Sequence, residues 1–217
     1  TADLAWPEEF SHERLDQLKA LDPETYWAQY MLDPQPAEMR VFKSDEFRYF
    51  RRPEEPEPSG LSSLPSELRP VVKPLQELSL YLGWDPSAGT VGGDEAAFAI
   101  VGVDTFGNYY IVDVVHGQFL LQDQMDIFFQ LHEMYEPYGG IQRAAVEMAG
   151  PFAALNGSLS AEMERRGQYH YIEKAEIRNQ NKVARVRLVL GPKYQAHRIY
   201  HHWALRNGPI EEQLVGF

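Results

Sequence analysis

Short apolar runs, separated by turns rich in glycine and asparagine, dominate the chain after residue 77. The runs at 78–84, 96–103 and 109–115 have the length and composition of buried strands. The turn at 104–108, which contains glycine and asparagine, is short enough to join the last two runs as a hairpin. The pattern therefore predicts three consecutive strands in antiparallel order.

Helical and strand patterns alternate after this meander. Apolar side chains recur at helical spacing over 122–135, and two glycines follow at 139 and 140. The next stretches predict a fourth strand over 141–148, a second helix over 151–166 and a fifth strand over 169–175. The segment 181–190 is either a third helix or a further strand. A meander joined to βαβα repeats predicts an α/β fold, a mixed sheet with helices on both faces.

The first third of the chain has a different composition. Residues 7–32 carry helix-start signals and predict two short helices. Residues 33–77 are rich in proline and acidic side chains, which is typical of a linker or an extended arm. We therefore predict a boundary near Glu77, with a helical segment and linker over 1–77 and a second domain over 78–217.

Composition excludes several classes of site. The 217 residues are 44% hydrophobic and 24% charged, as in ordinary globular proteins. The sequence contains no cysteine, which excludes disulfides, thiolate nucleophiles and cysteine zinc sites. No apolar stretch approaches the roughly 18 residues of a membrane helix, and the first residues do not have the pattern of a signal peptide. We therefore expect a soluble protein that has no membrane partner.

Charge is distributed unevenly along the chain. The net charge of −12 argues at first against a nucleic-acid partner. However, residues 78–170 hold 12 acidic and 3 basic side chains, whereas residues 171–217 hold 4 and 8. A carboxylate-rich middle beside a basic end suits a metal site flanked by a phosphate-binding surface. The alternative is a surface helix that happens to be basic.

Three acidic residues stand at predicted strand ends. Asp85 closes the first strand, Asp94 precedes the second, and Glu147 lies near the end of the fourth. If the first and fourth strands are neighbours, Asp85 and Glu147 face each other across one sheet edge. Such a pair repels unless a cation lies between the carboxylates, and Mg²⁺ or Mn²⁺ is the natural cation for oxygen ligands. Two such ions can activate a water and stabilise the leaving oxygen in phosphodiester cleavage.

Each acidic residue also has a structural interpretation. An aspartate before proline, as at Asp85, often starts a turn, and Asp94 after two glycines suits an Asx-turn. Glu147 stands in an apolar strand, where an unpaired charge would be costly, so we expect it to have a partner. The glycine-rich loop at 89–93 lets the backbone approach a ligand, or simply makes a tight turn.

Basic side chains near the end of the chain are candidate phosphate contacts. Lys182 and Arg185 are three residues apart and would share a helical face, and Arg187 and Lys193 follow in the same segment. A solvated helix face is the alternative.

Other polar side chains have mainly structural interpretations. His197, His201 and His202 are candidates for a general acid or for metal ligands, although satisfied histidines are commoner. Asp104 and Asp113 are predicted to be structural, at a turn and a strand end.

The sequence resembles the nuclease domain of the large terminase subunits, which drive DNA packaging in tailed bacteriophages. The stretch GWDPSAGTVGGDEAAFAIVGVDTFGNYYIVDVVHGQ is similar to the start of that domain, and AAVEMAG to its second acidic strand. NKVARVRLVLGPKYQAHRIYHHW resembles its later segment of lysine and arginine, and the N-terminal segment resembles the end of the preceding ATPase domain. The resemblance implies a ribonuclease H-like fold over residues 78–217.

The resemblance also implies a function. It predicts an endonuclease that cuts concatemeric double-stranded viral DNA into genome lengths without strong sequence preference, using two Mg²⁺ or Mn²⁺ ions. Asp85 would bridge the ions, Glu147 would hold one, and Asp94 would bind the second or orient its water. The expected partners are DNA, the terminase small subunit, the portal and the protein's own ATPase domain, in the host cytoplasm.

One feature of that family has no match. Its third acidic cluster follows a phenylalanine–proline pair, whereas this sequence ends at EEQLVGF with no matching aspartate. We therefore expect an isolated nuclease domain whose site lacks that cluster, which would lower its affinity for one of the two ions.

Two other functions fit part of the pattern. An actin-like phosphotransferase also begins with a strand, an aspartate, a glycine turn and a hairpin, but it predicts a second glycine-bearing phosphate turn, which is not seen. A non-catalytic docking module of a packaging machine is favoured by the acidic net charge and by the unmatched third cluster.

Overall fold

The strands of the described chain form a single mixed sheet in the computed structural model. The structure describes residues 11–21, 26, 41–88, 93–147, 155–175 and 182–216. The strands are β1 (Arg48–Arg51), β2 (Val71–Val72), β3 (Ser79–Asp85), β4 (Ala96–Val103), β5 (Tyr109–Gly117), β6 (Ile141–Val146), β7 (Ile172–Lys174) and β8 (Ile199–His202). Their order across the sheet is β2-β1-β8-β5-β4-β3-β6-β7.

Five α-helices lie within the described residues. They are α1 (His12–Leu21), α2 (Leu121–Tyr135), α3 (Leu155–Arg166), α4 (Lys182–Gln195) and α5 (Pro209–Val215). Short 3-10 turns occur at Ser44–Glu46, Leu61–Ser63, Ser66–Leu68, Leu75–Glu77, Glu136–Tyr138 and Trp203–Leu205. No helix among the described residues has both the length and the apolar character that a membrane span requires.

The predicted meander is confirmed. Strand β3 pairs antiparallel with β4, and β4 pairs antiparallel with β5. Strand β6 lies beside β3 and runs parallel to it, so the first and fourth predicted strands are neighbours. The segment at 181–190, left open between helix and strand, belongs to helix α4. Residues 151–154 of the predicted second helix lie outside the described residues.

Helices α2 and α3 cover one face of the sheet. Alternate residues of β3, among them Leu82 and Trp84, are buried on this face beside Phe128 of α2 and Leu159 of α3. Trp84 stacks on Phe98 of β4, with ring centroids 5.1 Å apart. The period-2 pattern of the strands and the helical spacing of α2 and α3 thus bury their apolar positions in one core.

Helix α4 packs against the opposite face. Its residue Tyr194 is buried, and its hydroxyl lies 2.7 Å from Nε2 of His201 in β8. Phe47 contacts both rings, and Tyr49 of β1 pairs in register with His201. The prediction of helices on both faces is therefore confirmed.

Residues 45–77 contribute to the sheet, although their composition is typical of a linker. Strand β1 pairs with β8 and β2, and Phe47, Phe50 and Leu75 are buried. The described residues from 45 to 208 form one compact unit, and those up to Ser44 form a second unit with those from Pro209 onward. The boundary near Glu77 stays a prediction. Helix α1 is the first of the two predicted N-terminal helices, and the second falls mainly outside the described residues.

Candidate functional site

Asp85 and Glu147 occupy neighbouring positions where two parallel strands end. Trp84 of β3 pairs in register with Val146 of β6, and each acidic residue comes one position later. The Glu147 amide donates a hydrogen bond of 3.0 Å to the Trp84 carbonyl, which continues the ladder past the strand ends. The two strands thus bring together two acidic residues that are far apart in the sequence.

Both acidic residues belong to the face of β3 and β6 that is turned away from α2 and α3. Trp84 and Val146 are 2% and 0% exposed and belong to the core. Because successive side chains of a strand alternate between faces, the next residues, Asp85 and Glu147, belong to the opposite face. Both are half-buried, so water screens their mutual repulsion less than it would at the surface.

Asp94 lies at the same end of the sheet. It precedes β4 by two residues and is exposed, and Asp85 pairs with Ala97 three positions further on. Among the described residues, no three His, Asp or Glu side chains are grouped closely enough to form a metal site. Residues 89–92 and 148–154, which adjoin this end, lie outside the described residues.

The donor set still suits a hard divalent cation. Carboxylate oxygens are the ligands that Mg²⁺ and Mn²⁺ prefer, and two neighbouring carboxylates supply them from a rigid sheet. Asp85 and Glu147 could hold such an ion. The assignment of Asp85, Glu147 and Asp94 as catalytic metal ligands stays a prediction.

Small residues surround the two carboxylates. Gly83, Ala97, Ala99 and Ala145 share their face of the sheet by register, and we call these four residues the small-residue floor. A Cβ built on Gly83 would meet nothing closer than the Ala99 carbonyl oxygen, at 4.0 Å. None of the four floor residues therefore carries a side chain larger than a methyl group beside the carboxylates.

A histidine–carboxylate pair on the same face was not identified from the sequence. His116 of β5 pairs in register with Ala97, and its Nδ1 lies 2.8 Å from Oε2 of Glu95. The strand pattern carries a signal for it, because His116 follows Val115, which packs against the core, and must therefore belong to the opposite face.

The predicted basic contacts are spread along helix α4. Along the chain, helix α4 connects β7 to β8, and both of these strands run parallel to β3. The helix therefore runs antiparallel to them. Lys182 and Arg185 lie in its first turn, toward the end of the sheet that carries Asp85. Lys193 lies at the other end, where its Nζ donates to the Tyr109 hydroxyl at 3.0 Å.

The role of these basic residues as DNA contacts stays a prediction. Arg185 and Arg187 are half-buried. Lys193 also lies 4.2 Å from the centroid of the Tyr109 ring, a cation–π contact that fixes its side chain at the far end of the sheet.

The three histidines near the chain end make structural contacts. His201 is fully buried in the aromatic cluster under α4, and Nε2 of His202 lies 2.8 Å from Oε2 of Glu55. His197 is exposed, and its Nε2 lies 3.2 Å from Nη2 of Arg48.

Asp104 and Asp113 also have structural partners. Asp104 accepts hydrogen bonds from the backbone of Phe106 and Asn108 and from the Tyr110 hydroxyl. Burial alone would raise the pKa of Asp104, but the hydrogen bonds outweigh it and hold this pKa below its ordinary value. Asp113 accepts a hydrogen bond of 3.2 Å from the hydroxyl of Tyr135.

Comparison with known proteins supports one fold. No protein-family model matches the chain, and no curated protein matches it by sequence. The large terminase nuclease domain of Thermus phage P74-26 is similar in structure, with 15% identity and a TM-score of 0.50 over 82% of this chain and 78% of that one.

Two further solved structures align with lower scores. The large terminase nuclease of the thermophilic phage G20c with bound magnesium has 12% identity and a TM-score of 0.45 over 75% of this chain and 74% of that one. The human cytomegalovirus terminase nuclease domain, manganese-soaked and inhibitor-bound, has 11% identity and a TM-score of 0.46. The alignment covers 80% of this chain and 83% of that one.

The similarity to the P74-26 domain, at 15% identity, is one of fold. The predicted fold class, a ribonuclease H-like mixed sheet with helices on both faces, is confirmed. This chain has the fold of large terminase nuclease domains.

Proposed function

We propose that this chain is a divalent-metal-dependent endonuclease that cuts double-stranded viral DNA concatemers into genome lengths during packaging. The observation that carries the proposal is the pairing of β3 with β6, which sets Asp85 beside Glu147 at the sheet end, next to the small-residue floor. A nuclease that uses cations needs carboxylates in this arrangement, on a surface that a duplex can reach.

Each acidic residue has a role in this proposal. Asp85, on the inner strand of the pair, would hold both Mg²⁺ or Mn²⁺ ions, Glu147 would hold one of them, and Asp94 would hold the second or orient its water. When bound, the ions activate a water and neutralise charge on the phosphate. The protein's part is to hold the carboxylates on adjacent strands, so that little reorganisation is needed when DNA binds.

The remaining residues position the DNA. The small-residue floor gives the phosphodiester backbone access to Asp85 and Glu147. Lys182 and Arg185, in the first turn of α4, neutralise phosphates on the duplex that enters from that side. The positive end of the helix dipole adds to their attraction for phosphate.

The wider setting belongs to the same proposal. We place the protein in the host cytoplasm, working with a terminase small subunit, a portal and its own ATPase domain. The support is the fold shared with the P74-26 large terminase nuclease domain.

The test is nicking of supercoiled plasmid by the purified protein in the presence of Mn²⁺. We expect the wild type to nick the plasmid, and Asp85→Asn and Glu147→Gln each to slow nicking by about 100-fold or more, a loss usual for removal of a strong electrostatic group. Glu164→Gln, which removes an exposed carboxylate from α3, is the matched control and should nick at the wild-type rate.

Two results would contradict the proposal. If the wild type does not nick DNA with Mn²⁺, the chain is better explained as a non-catalytic docking module. If Asp85→Asn nicks at the wild-type rate, the cleavage comes from another site or from a contaminant.

A further inference from the structure

A histidine lies in the same row of the sheet as the two candidate metal-binding carboxylates. Asp85 of β3 pairs with Ala97 of β4, and Ala97 pairs with His116 of β5. Glu147 continues the row on the other side of Asp85. Four adjacent strands thus place His116, Ala97, Asp85 and Glu147 side by side on one face.

The distance between His116 and Asp85 along this row is large enough for a substrate phosphate to lie between their side chains. The Cα atoms of His116 and Asp85 are two interstrand spacings apart, about 10 Å. Only the methyl group of Ala97 lies between them in the row, and Ala97 belongs to the small-residue floor. A phosphodiester seated over Ala97 would have the carboxylates on one side and the imidazole on the other.

Glu95 fixes the imidazole ring. Oε2 of Glu95 lies 2.8 Å from Nδ1 of His116, and because a carboxylate oxygen only accepts, the Nδ1–H group donates a hydrogen bond to it. In the neutral ring the other nitrogen, Nε2, is then a hydrogen-bond acceptor. This carboxylate–imidazole arrangement orients histidine bases in hydrolases and stabilises the imidazolium that forms when they take up a proton.

The contact between His116 and Glu95 contributes little to the stability of the fold. The His116 and Glu95 side chains are 40% and 54% exposed. Exposed ion pairs contribute about 0–1 kcal/mol, so the fold gains little from this contact. The same exposure leaves the histidine accessible to a bound substrate and to water.

We infer that His116 is a catalytic base of the proposed nuclease and that Glu95 is its positioning residue. The inference rests on the proposed function. Nε2 of His116 takes a proton from the attacking water as the water oxygen forms its bond to phosphorus. The bond from phosphorus to the 3′-oxygen breaks, and that oxygen leaves with its electron pair and gains a proton from solvent.

A role as a metal ligand fits the structure less well. A separation of about 10 Å between the Cα atoms of His116 and Asp85 suits a role across a phosphate.

The experiment compares single-turnover nicking rates at saturating DNA and DNA affinities for the wild type, His116→Ala, Glu95→Gln and Asp85→Asn. His12→Ala, an exposed histidine of α1, is the matched control. We expect His116→Ala to slow nicking by about 100-fold, within the range usual for a general base, with DNA affinity unchanged within about threefold. Added imidazole should restore part of the rate in His116→Ala alone, and Glu95→Gln should lose about tenfold in rate.

The outcomes separate this inference from the proposed function. If Asp85→Asn is inactive but His116→Ala nicks at the wild-type rate, His116 is not a base and the proposed function stands. If His116→Ala loses DNA affinity as much as rate and imidazole restores nothing, His116 binds DNA instead. If the wild type does not nick DNA, both ideas fail. Unchanged thermal midpoints in His116→Ala and Glu95→Gln show that a lost rate does not reflect unfolding.

Discussion

Two histidine rings contact each other where α2 meets the stretch that leads into β7; His132 is buried and His170 is half-buried. The rings of His132 and His170 have centroids 3.7 Å apart, and Nδ1 of His132 lies 2.9 Å from the Phe128 carbonyl oxygen. Burial lowers the pKa of His132 to about 4. Burial also lowers the pKa of His170, and the negative charge of Glu133 offsets only part of this decrease. These side chains are therefore neutral in the folded protein at physiological pH.

This pair predicts a loss of stability in mild acid. The unfolded chain binds protons at His132 near pH 6.5, whereas the folded protein does so only near its pKa of about 4. The stability from neutral His132 is therefore complete above pH 6.5 and decreases as the pH falls toward 4. By linkage, the free energy of unfolding should fall by about 2 kcal/mol between pH 7.5 and pH 5, as measured by urea unfolding.

The His132→Phe variant checks the cause, because phenylalanine keeps an aromatic ring beside His170 and does not titrate. In this variant the fall between pH 7.5 and pH 5 should shrink by at least half, whereas His12→Ala should behave as the wild type. An unchanged fall in His132→Phe would show that other groups carry the pH dependence.

The sequence predicts individual site residues only where a residue type conflicts with its surroundings. Asp85 and Glu147 stand out because each is an acidic residue at the end of an apolar run, and the strands do bring them together. His116 and Glu95 are missed because an exposed histidine and an exposed glutamate are common residues. Only the register of β4 with β5 shows that they lie beside Ala97.

At the scale of elements, helix α4 separates two sets of basic residues. Lys182 and Arg185 lie in its first turn, toward the sheet end with Asp85, whereas Lys193 contacts Tyr109 at the opposite end. If a duplex binds over the small-residue floor, we expect the first set to contact it and the second set not to.

The measurement is the salt dependence of DNA affinity, because each phosphate contact releases counterions when it forms. Replacing Lys182 or Arg185 by Gln should reduce the slope of log affinity against log salt by about 1. The matched substitution Lys193→Gln should leave the slope nearly unchanged. If all three substitutions reduce the slope equally, the DNA contacts the whole length of the helix.

Local patterns predict some elements better than others. The meander and α2 follow from period-2 and helical spacing, which are local properties of the sequence. Strand β1 is missed because the proline-rich stretch around it resembles a linker, and its partners in β8 come about 150 residues later. Pairing over such a distance depends on the burial of Phe47 and Phe50, which a local pattern does not show.

At the scale of the whole molecule, the distribution of charge matters more than its sum. The chain carries −12 overall, yet its carboxylates and its basic residues are concentrated in different parts of the sequence. By strand direction, the ends of β3 and β6 and the start of α4 lie toward the same end of the sheet. Our central proposal is that the pairing of β3 with β6 sets Asp85 beside Glu147 so that the two carboxylates can hold a divalent cation.

The two neighbouring carboxylates should also affect the stability of the protein, independently of catalysis. Without metal, two half-buried neighbouring carboxylates repel each other, so removing one charge should stabilise the protein by about 1 kcal/mol, as is common when a functional site is relieved of strain. With Mn²⁺ at about 100 times its dissociation constant, the wild type should gain about 2.7 kcal/mol through binding.

The most direct measurement is therefore the free energy of unfolding in urea, with and without Mn²⁺, for the wild type, Glu147→Gln and the control Glu164→Gln. The account predicts that Glu147→Gln is the most stable of the three without metal and gains little from Mn²⁺, whereas the wild type and the control gain equally. If Mn²⁺ stabilises Glu147→Gln as much as it stabilises the wild type, the paired carboxylates are not the metal site.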